Sequence, residues 1–508
     1  MSITPSTFIS TAGSIPILTI IIPLISAMAA PLIGRIHKSF GWYLATTATF
    51  IAFLMALSLL YTVLDSGTIS YRLGSWAPPM GIEYVISHFN GFVLVIISGI
   101  SFIVTLYGKK SVEQEIEASK IPFFYSVYLL FIAGIMGIVI TGDIFNLYVF
   151  VEITALSGYA LIAMGKDRKA LVASYNYLIL GTIGATFLVL GIGYLYIATG
   201  TLNMNDLLHR LPELYGSTTV RTAFAFLMVG LCLKLALFPF HIWLPGVYTH
   251  SPSIVSALMA ATSTKVMAFV LLRIMFTIFT LEFVLDVVPV TKVLIVLSCV
   301  AIIMGSLMAL GQTNIKRMLA YSSIGQIGYI ILGASIANET AMTGSLIHIF
   351  NHAIMKGMLF MVVGAVVYKT GIVNIKDMEG LGKRMPWTMA AFTVGAMSMI
   401  GFPFTVGFIS KWYLAIGSIE AGMWYLVPVL LVSSIMTAFY FWRVVESVYF
   451  KGRSEKIMAL KSPLHSDEAP FGMVVTIVFL AALCVYFGLA ASGPIGVART
   501  AAAMLLGH

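Results

Sequence analysis

The sequence predicts an all-α polytopic membrane protein with about 14 transmembrane helices, broken in spans 7 and 12. Three observations carry that reading. Of 508 residues, 59% are hydrophobic and only 10% charged, whereas a soluble domain carries about 25% charge. Mean hydropathy is +0.99. Apolar runs of about 20 residues, enough to cross ~30 Å of hydrocarbon, recur along the chain. They are too long and too uniformly apolar for barrel strands, and helices satisfy every backbone polar group internally.

In order, the runs lie at 15–34, 40–64, 89–107, 122–140, 144–164, 174–198 and 221–245, then 252–275, 293–310, 318–337, 342–368, 387–417, 424–450 and 471–492. The first lacks a preceding basic segment, so it reads as a retained span rather than a cleaved signal. Loops after odd-numbered spans carry eighteen Lys and Arg, including Lys38, Lys316 and Lys461, and the other side carries six, including Arg273. That bias places the first set in the cytoplasm and both termini outside. The net charge of +9 is thus spread over loops, which fits topology and not nucleic-acid binding. Cys232, Cys299 and Cys484 are isolated within apolar runs. They form no CxxC pattern, so no cluster, metal or other cofactor is expected.

Five basic residues remain inside spans: Lys234, Lys265, Lys356, Lys411 and Arg443. Arg443 lies near a cytoplasmic helix end, where its long side chain is expected to snorkel. The other four are deep, and a cation at the bilayer centre costs roughly 2.5–3.5 kcal/mol even on the mildest scale. One acid is comparably deep, Glu152 in span 5, with Asp143 in the turn before it. Span 7 carries Lys234 and is interrupted by Pro239 and Pro245 with His241 between them; His250 opens span 8, which carries Lys265. Span 11 carries His348, His352 and Lys356, spaced i, i+4, i+8 over roughly 80° of one face. Span 12 is broken at Gly401–Pro403, with Lys411 beyond the break.

A buried lysine beside a carboxylate is a proton switch. The pair holds the ammonium form, and separation releases the proton to a neighbour. Glu152 and Lys234 are the candidate pair, Lys265 and the His348–His352–Lys356 face the further stations, and Lys411 the far exit. Histidine suits a relay because its ordinary titration lies near neutrality. Asp143, His241 and His250 are candidate entrance residues, with capping or packing as the alternative. Structural ion pairing is the competing reading for the lysines, but four deep lysines cannot all pair with one deep acid. His348 and His352 have metal-ligand spacing without a third ligand, so packing is their stronger alternative. Phe238-Pro239-Phe240 resembles Phe402-Pro403-Phe404, and the spans that hold them are five apart. Equivalent helices would therefore run in opposite directions, as in an inverted repeat. A solute transporter acting alone, a quinone-binding subunit and a passive scaffold are the other classes. The deep polar groups are mostly titratable, which favours protons.

At Glu152, at Lys234 followed by LALFPFHIWLPGVYTHSP, and at Lys265, His348, His352, Lys356 and Lys411, the chain resembles the antiporter-like subunits of respiratory complex I and its relatives. GDIFNLYVFVEI (142–153) and GFISKWY (407–413) most resemble the D-type member of Mrp-type sodium/proton antiporters and the matching subunits of archaeal membrane-bound hydrogenases and sulfane reductases. The resemblance implies 14 helices, with spans 4–8 (121–280) and 9–13 (281–450) as two inverted five-helix units, flanked by 1–120 and 451–508. It implies that Glu152 and Lys234 are a coupled pair, Lys265 a connector, the span 11 residues a central relay and Lys411 the terminal proton site. Lys411 and the absence of a long lateral helix after span 14 favour the D-type. Implied partners are sister antiporter-like and small membrane subunits, with a soluble redox module in the redox-driven members. Implied cargo is protons, with sodium in the antiporters, across a prokaryotic plasma membrane.

Overall fold

The apolar runs fold as helices, as hydrocarbon requires of a backbone with no water to bond. The structure is a computed structural model that describes residues 13–37, 39–458 and 467–507. Lys38 and Lys461 of the loop-charge bias lie outside the described residues. Among the described residues, thirteen helices are long and apolar enough to cross a membrane. The one predicted span outside that set, span 12, is present as two half-helices, Pro386–Ile400 and Val406–Glu420, parted at Gly401. Gly401 has φ 90°, a left-handed conformation that a side chain disfavours.

Burial sorts the helices into an inner and an outer set. The window of Ser253–Ile278 is fully buried, and Ile315–Ile336 and Glu339–Thr370 are nearly so. Only a third of the residues in the windows of Ile15–Arg35, Phe40–Ser66, Leu426–Tyr449 and Phe471–Leu489 are buried, as expected of lipid-facing helices. Every lysine singled out from the sequence lies on or against the inner set.

The two halves share a turn. Span 5 (Ile144–Ala163) starts at Asp143, which bridges to Asn203 after span 6; span 10 (Ile315–Ile336) starts at Asn314, which bridges to Asn374 after span 11. Asp143 and Asn314 are 171 positions apart, as are Asn203 and Asn374. The flanking hydrogen bonds match: Ile144 N–H to the Leu202 carbonyl and Met204 N–H to Gly142, then Ile315 N–H to Val373 and Ile375 N–H to Thr313, all 2.9 Å. Both cap side chains accept from the first turn, Asp143 from Asn146 N–H at 2.6 Å and Asn314 from Arg317 N–H at 3.2 Å. Such caps satisfy one of the orphan donors at a helix start. The intervening helices, Arg168–Thr199 and Glu339–Thr370, are 32 residues each and end at glycines with φ 70°.

Three features depart from the sequence reading. Span 8 is itself broken, into Ser253–Ala261 and Ser263–Arg273, with Thr262 outside helical geometry. A helix, Ser492–Leu506, follows span 14 and packs against spans 3 and 11. A hairpin of Ile69–Arg72 and Glu83–Ile86 covers one end of the bundle. Its Glu83 carboxylate accepts from Ser70 Oγ at 2.6 Å and from Asn203 Nδ2 at 2.7 Å, tying the hairpin to the first shared turn.

Two basic residues counted as loop charges are buried, Arg273 at 4% and Lys316 at 5% exposure. Arg273 donates to the Thr141 carbonyl at 2.5 Å. Arg443 donates to the Leu310 and Gln312 carbonyls and so caps span 9. Carbonyls orphaned at a helix end are natural partners for a guanidinium.

Candidate functional site

Span 7 ends as a helix at Leu235, because Ala236 turns left-handed at φ 59°. A non-helical stretch through Phe238, Pro239 and His241 follows, and a short helix resumes at Trp243–His250. The loose end is tied by Trp243 Nε1–H, which donates to the Leu233 carbonyl at 3.0 Å. Lys234 therefore sits in the last turn of a half-helix with its ammonium free to leave the helix axis. It donates to Glu152 Oε1 at 2.7 Å. Lys234 is 4% exposed at its side chain and Glu152 26%, so the acid lies on the outer edge of the bundle and the base within it. The predicted pair is thus brought together, and the break beside it supplies room for movement. His241 stacks on Phe238, ring centroids 4.9 Å apart, and its Nδ1 is buried without a partner.

Lys265 is fully buried. Its ammonium donates to the Ala260 carbonyl and lies 3.4 Å from Thr264 Oγ1. This explains a break that has no Pro or Gly at Thr262: the lysine takes a carbonyl at the end of the first half-helix. Span 11 comes near at Gly357, where an added Cβ would lie 3.3 Å from Ala261 Cβ.

The three span 11 residues share one face. The His348 and His352 ring centroids are 5.9 Å apart. His348 Nε2 donates to Gln326 Oε1 at 3.0 Å, and Ser410 Oγ stands 2.8 Å from Nδ1. His352 is fully buried with neither ring nitrogen partnered by protein. Lys356 donates to the Leu319 carbonyl at 2.8 Å and to Ser322 Oγ.

Lys411 follows Ser410 on the second half-helix of span 12. It donates to the Met399 and Ile400 carbonyls at 3.0 and 2.9 Å and to Ser434 Oγ at 2.9 Å. It also lies 5.1 Å from the Tyr329 ring centroid. A cation here meets the orphan carbonyls of the first half-helix and the negative end of its dipole. Pro403 stands in the break itself, between Gly401 and Phe404, the latter at φ 67°.

A second cluster was not expected. Glu115, at the end of span 3, accepts from Ser253 N–H at 2.8 Å and from Ser253 Oγ at 3.2 Å. The buried Lys316 donates to the same Ser253 hydroxyl at 3.1 Å. His250 lies 3.1 Å from Asp167 Oδ2. Partial burial works to raise the Asp167 carboxyl, but the Lys169 N–H and the His250 ring outweigh it and hold the group below the usual carboxylate range. Glu115, Lys316, Asp167 and His250 line one cleft of about 370 Å³ where spans 3, 8 and 10 meet. His250 belongs here, and Asp143 lies at the opposite end of span 5. Sequence reasoning missed Lys316 because it reads as half of a Lys-Arg loop pair. Asn314, which caps the helix two positions earlier, is the signal that puts Lys316 inside the helix.

The family model described as NADH:quinone oxidoreductase/Mrp antiporter, TM, matches residues 141–437. That stretch contains every membrane-embedded residue named above for the relay. The N subunit of the NADH-quinone oxidoreductase of Desulforudis audaxviator is 43% identical, over 94% of this chain and 95% of the relative. The D-type chain of the Na(+)/H(+) antiporter of Bacillus subtilis is 29% identical, over 93% of each. Among solved structures, a chain of the membrane-bound sulfane sulfur reductase, an archaeal respiratory membrane complex, superposes with TM-score 0.89 at 32% identity, covering 97% of this chain and 98% of the other.

Proposed function

The chain belongs to the NADH:quinone oxidoreductase/Mrp antiporter family, and from that premise we propose that it moves protons as the antiporter-like subunit of a multisubunit membrane complex. The observation that carries the reading is the 2.7 Å Glu152–Lys234 pair beside the broken end of span 7. An ion pair adjacent to an irregular backbone has two states, joined and parted, and in the parted state the buried ammonium is relieved by giving up its proton. Joined, Lys234 keeps its proton. Parted, Lys234 passes it inward toward Lys265 and the His348–His352–Lys356 face. Water beside His352 completes the row, and Lys411 releases the proton on the far side.

The Glu115–Ser253–Lys316 and Asp167–His250 cluster is the cytoplasmic mouth of this path. Its hydrogen bonds already form a chain, from the Lys316 ammonium through the Ser253 hydroxyl to Glu115. Residues 121–280 and 281–450 act as two inverted five-helix units, each opening toward one side. The matching turns at Asp143 and Asn314 support that division. The complex sits in a prokaryotic cell membrane with both termini of this chain outside, and its partners are further membrane subunits.

A redox module is favoured over cation exchange as the driving partner. The N subunit of the NADH-quinone oxidoreductase, at 43% identity, stands above the antiporter chains, at 29% and 32%, and this favours the respiratory members. Gentle purification of the native complex tests both parts. Co-purifying soluble subunits with bound iron are the expected result. Small membrane chains alone, without metal, would place the complex with the gradient-driven antiporters. A chain that purifies alone and carries an organic solute would remove the proton reading.

A further inference from the structure

Four helix ends converge at the cytoplasmic edge of the outer set: the end of span 1, the start of span 2, the end of span 3 and the start of span 4. They enclose a cleft of about 640 Å³ lined by Arg35, His37, Trp42, Lys109, Glu113 and Tyr125, among others. We infer that this cleft holds the head group of an anionic phospholipid of the cytoplasmic leaflet.

The charges are arranged for a ligand rather than for each other. Glu113 is taken by Lys110 at 2.8 Å, and Glu117 by Lys120 at 3.0 Å. Among the described residues no ion pair involves Arg35 or Lys109. Lys109 is held instead by aromatic faces, 4.8 Å from the Trp42 centroid and 4.9 Å from that of Tyr43. Trp42 is fixed in turn by its Nε1–H, which donates to the Thr105 carbonyl at 2.8 Å. Aromatic residues that anchor at the interface and cations that face the anionic leaflet are the two signatures of lipid head-group recognition.

The apolar part of the ligand has a track as well. Leu32, Met28 and Ile25 descend from Arg35 on one face of span 1, exposed by 66%, 73% and 59%. Spacing of three and four residues keeps them in line below the guanidinium. The floor of the cleft is closed by tight helix contacts: a Cβ at Gly34 would fall 2.7 Å from Pro122 Cβ, and one at Gly41 would fall 2.9 Å from the Tyr125 ring. A free anion would use the cations but not the apolar stripe. A partner protein would need to reach below the interface to cover it.

The test uses the whole purified complex in nanodiscs of phosphatidylcholine, with and without phosphatidylglycerol. Phosphatidylglycerol is expected to raise the thermal midpoint and to be retained through delipidation. Arg35→Gln with Lys109→Gln is expected to weaken that retention roughly thirtyfold, about a factor of five for each cation at an anionic surface. Arg35→Lys with Lys109 intact should keep most of it, which separates lost charge from lost folding. Soluble glycerophosphate should give no shift. An equal shift with glycerophosphate, unchanged retention in the double variant, or a photo-crosslink from position 35 to another protein chain instead of to lipid would each overturn the inference.

Discussion

The broken helices of spans 7 and 12 place their lysines differently, and the difference separates a switch from a terminus. Lys234 precedes its break and points at a carboxylate, Glu152. Lys411 follows its break and points back at the carbonyls of the preceding half-helix and at Ser434. Removing the partner of Lys234 takes one side chain. Removing the partners of Lys411 would require unfolding a helix end. An ion pair has a parted state within reach, whereas a cation on fixed carbonyls has a permanent seat. The first suits gating, and the second suits the last site of a path, where the dipole of the half-helix holds the charge until it leaves.

The comparison can be broken most sharply at span 7. Lys234→Ala is expected to reduce proton uptake by reconstituted complex to background while leaving subunit composition unchanged. Glu152→Gln should do nearly the same and also destabilise, since an unpaired buried cation costs about 3–5 kcal/mol. A thermal unfolding scan beside the transport assay reads both effects. Wild-type uptake in either variant would make the pair structural.

Loss of the span 12 lysine is expected to block release and, unlike the change at span 7, to disturb local order. Lys411→Met leaves two carbonyls and a hydroxyl without their donor, roughly 1–3 kcal/mol for each buried group. Faster hydrogen exchange at 397–406 and strongly reduced transport are the expected outcome. Wild-type transport would remove Lys411 from the path, and unchanged exchange would show that the helix end does not depend on it. Ser434→Ala removes one of three contacts and should cost only about 1 kcal/mol.

The smallest effect belongs to the cytoplasmic cleft. Asp167 is 51% exposed, so screening keeps its worth at or below ~1 kcal/mol. Because its folded titration is depressed, the contribution is complete above the ordinary carboxylate range and disappears as pH falls through the lower folded value. Asp167→Asn should flatten that acid limb by lowering the neutral value by at most ~1 kcal/mol while leaving the acid end nearly unchanged.

The helices and the central pair were legible in the sequence because charges are scarce in it. One deep acid and four deep lysines in an apolar chain identify themselves. The breaks at Pro239 and Pro403 were legible from the residues that cause them. The break at Thr262 was not, since it arises from the choice of partner made by the Lys265 side chain and leaves no mark in the local composition. Lys316 was misplaced for a related reason: adjacent basic residues look alike in a loop, and only the helix start at Asn314 turns one inward and the other out. The helix Ser492–Leu506 was hidden by its length, too short to span and too mixed to stand out. The matching turns at Asp143 and Asn314 were invisible as residues. They became evident only from their hydrogen bonds, although the Phe-Pro-Phe pair pointed to the same repeat.

The central claim is that Lys234 must give up its proton and not merely carry charge. Lys234→Arg keeps the cation and the ion pair with Glu152, but a guanidinium does not deprotonate in a protein. Proton uptake by proteoliposomes containing the full complex should be abolished in this variant, with assembly and thermal stability near wild type. Full uptake with arginine in place would contradict the account.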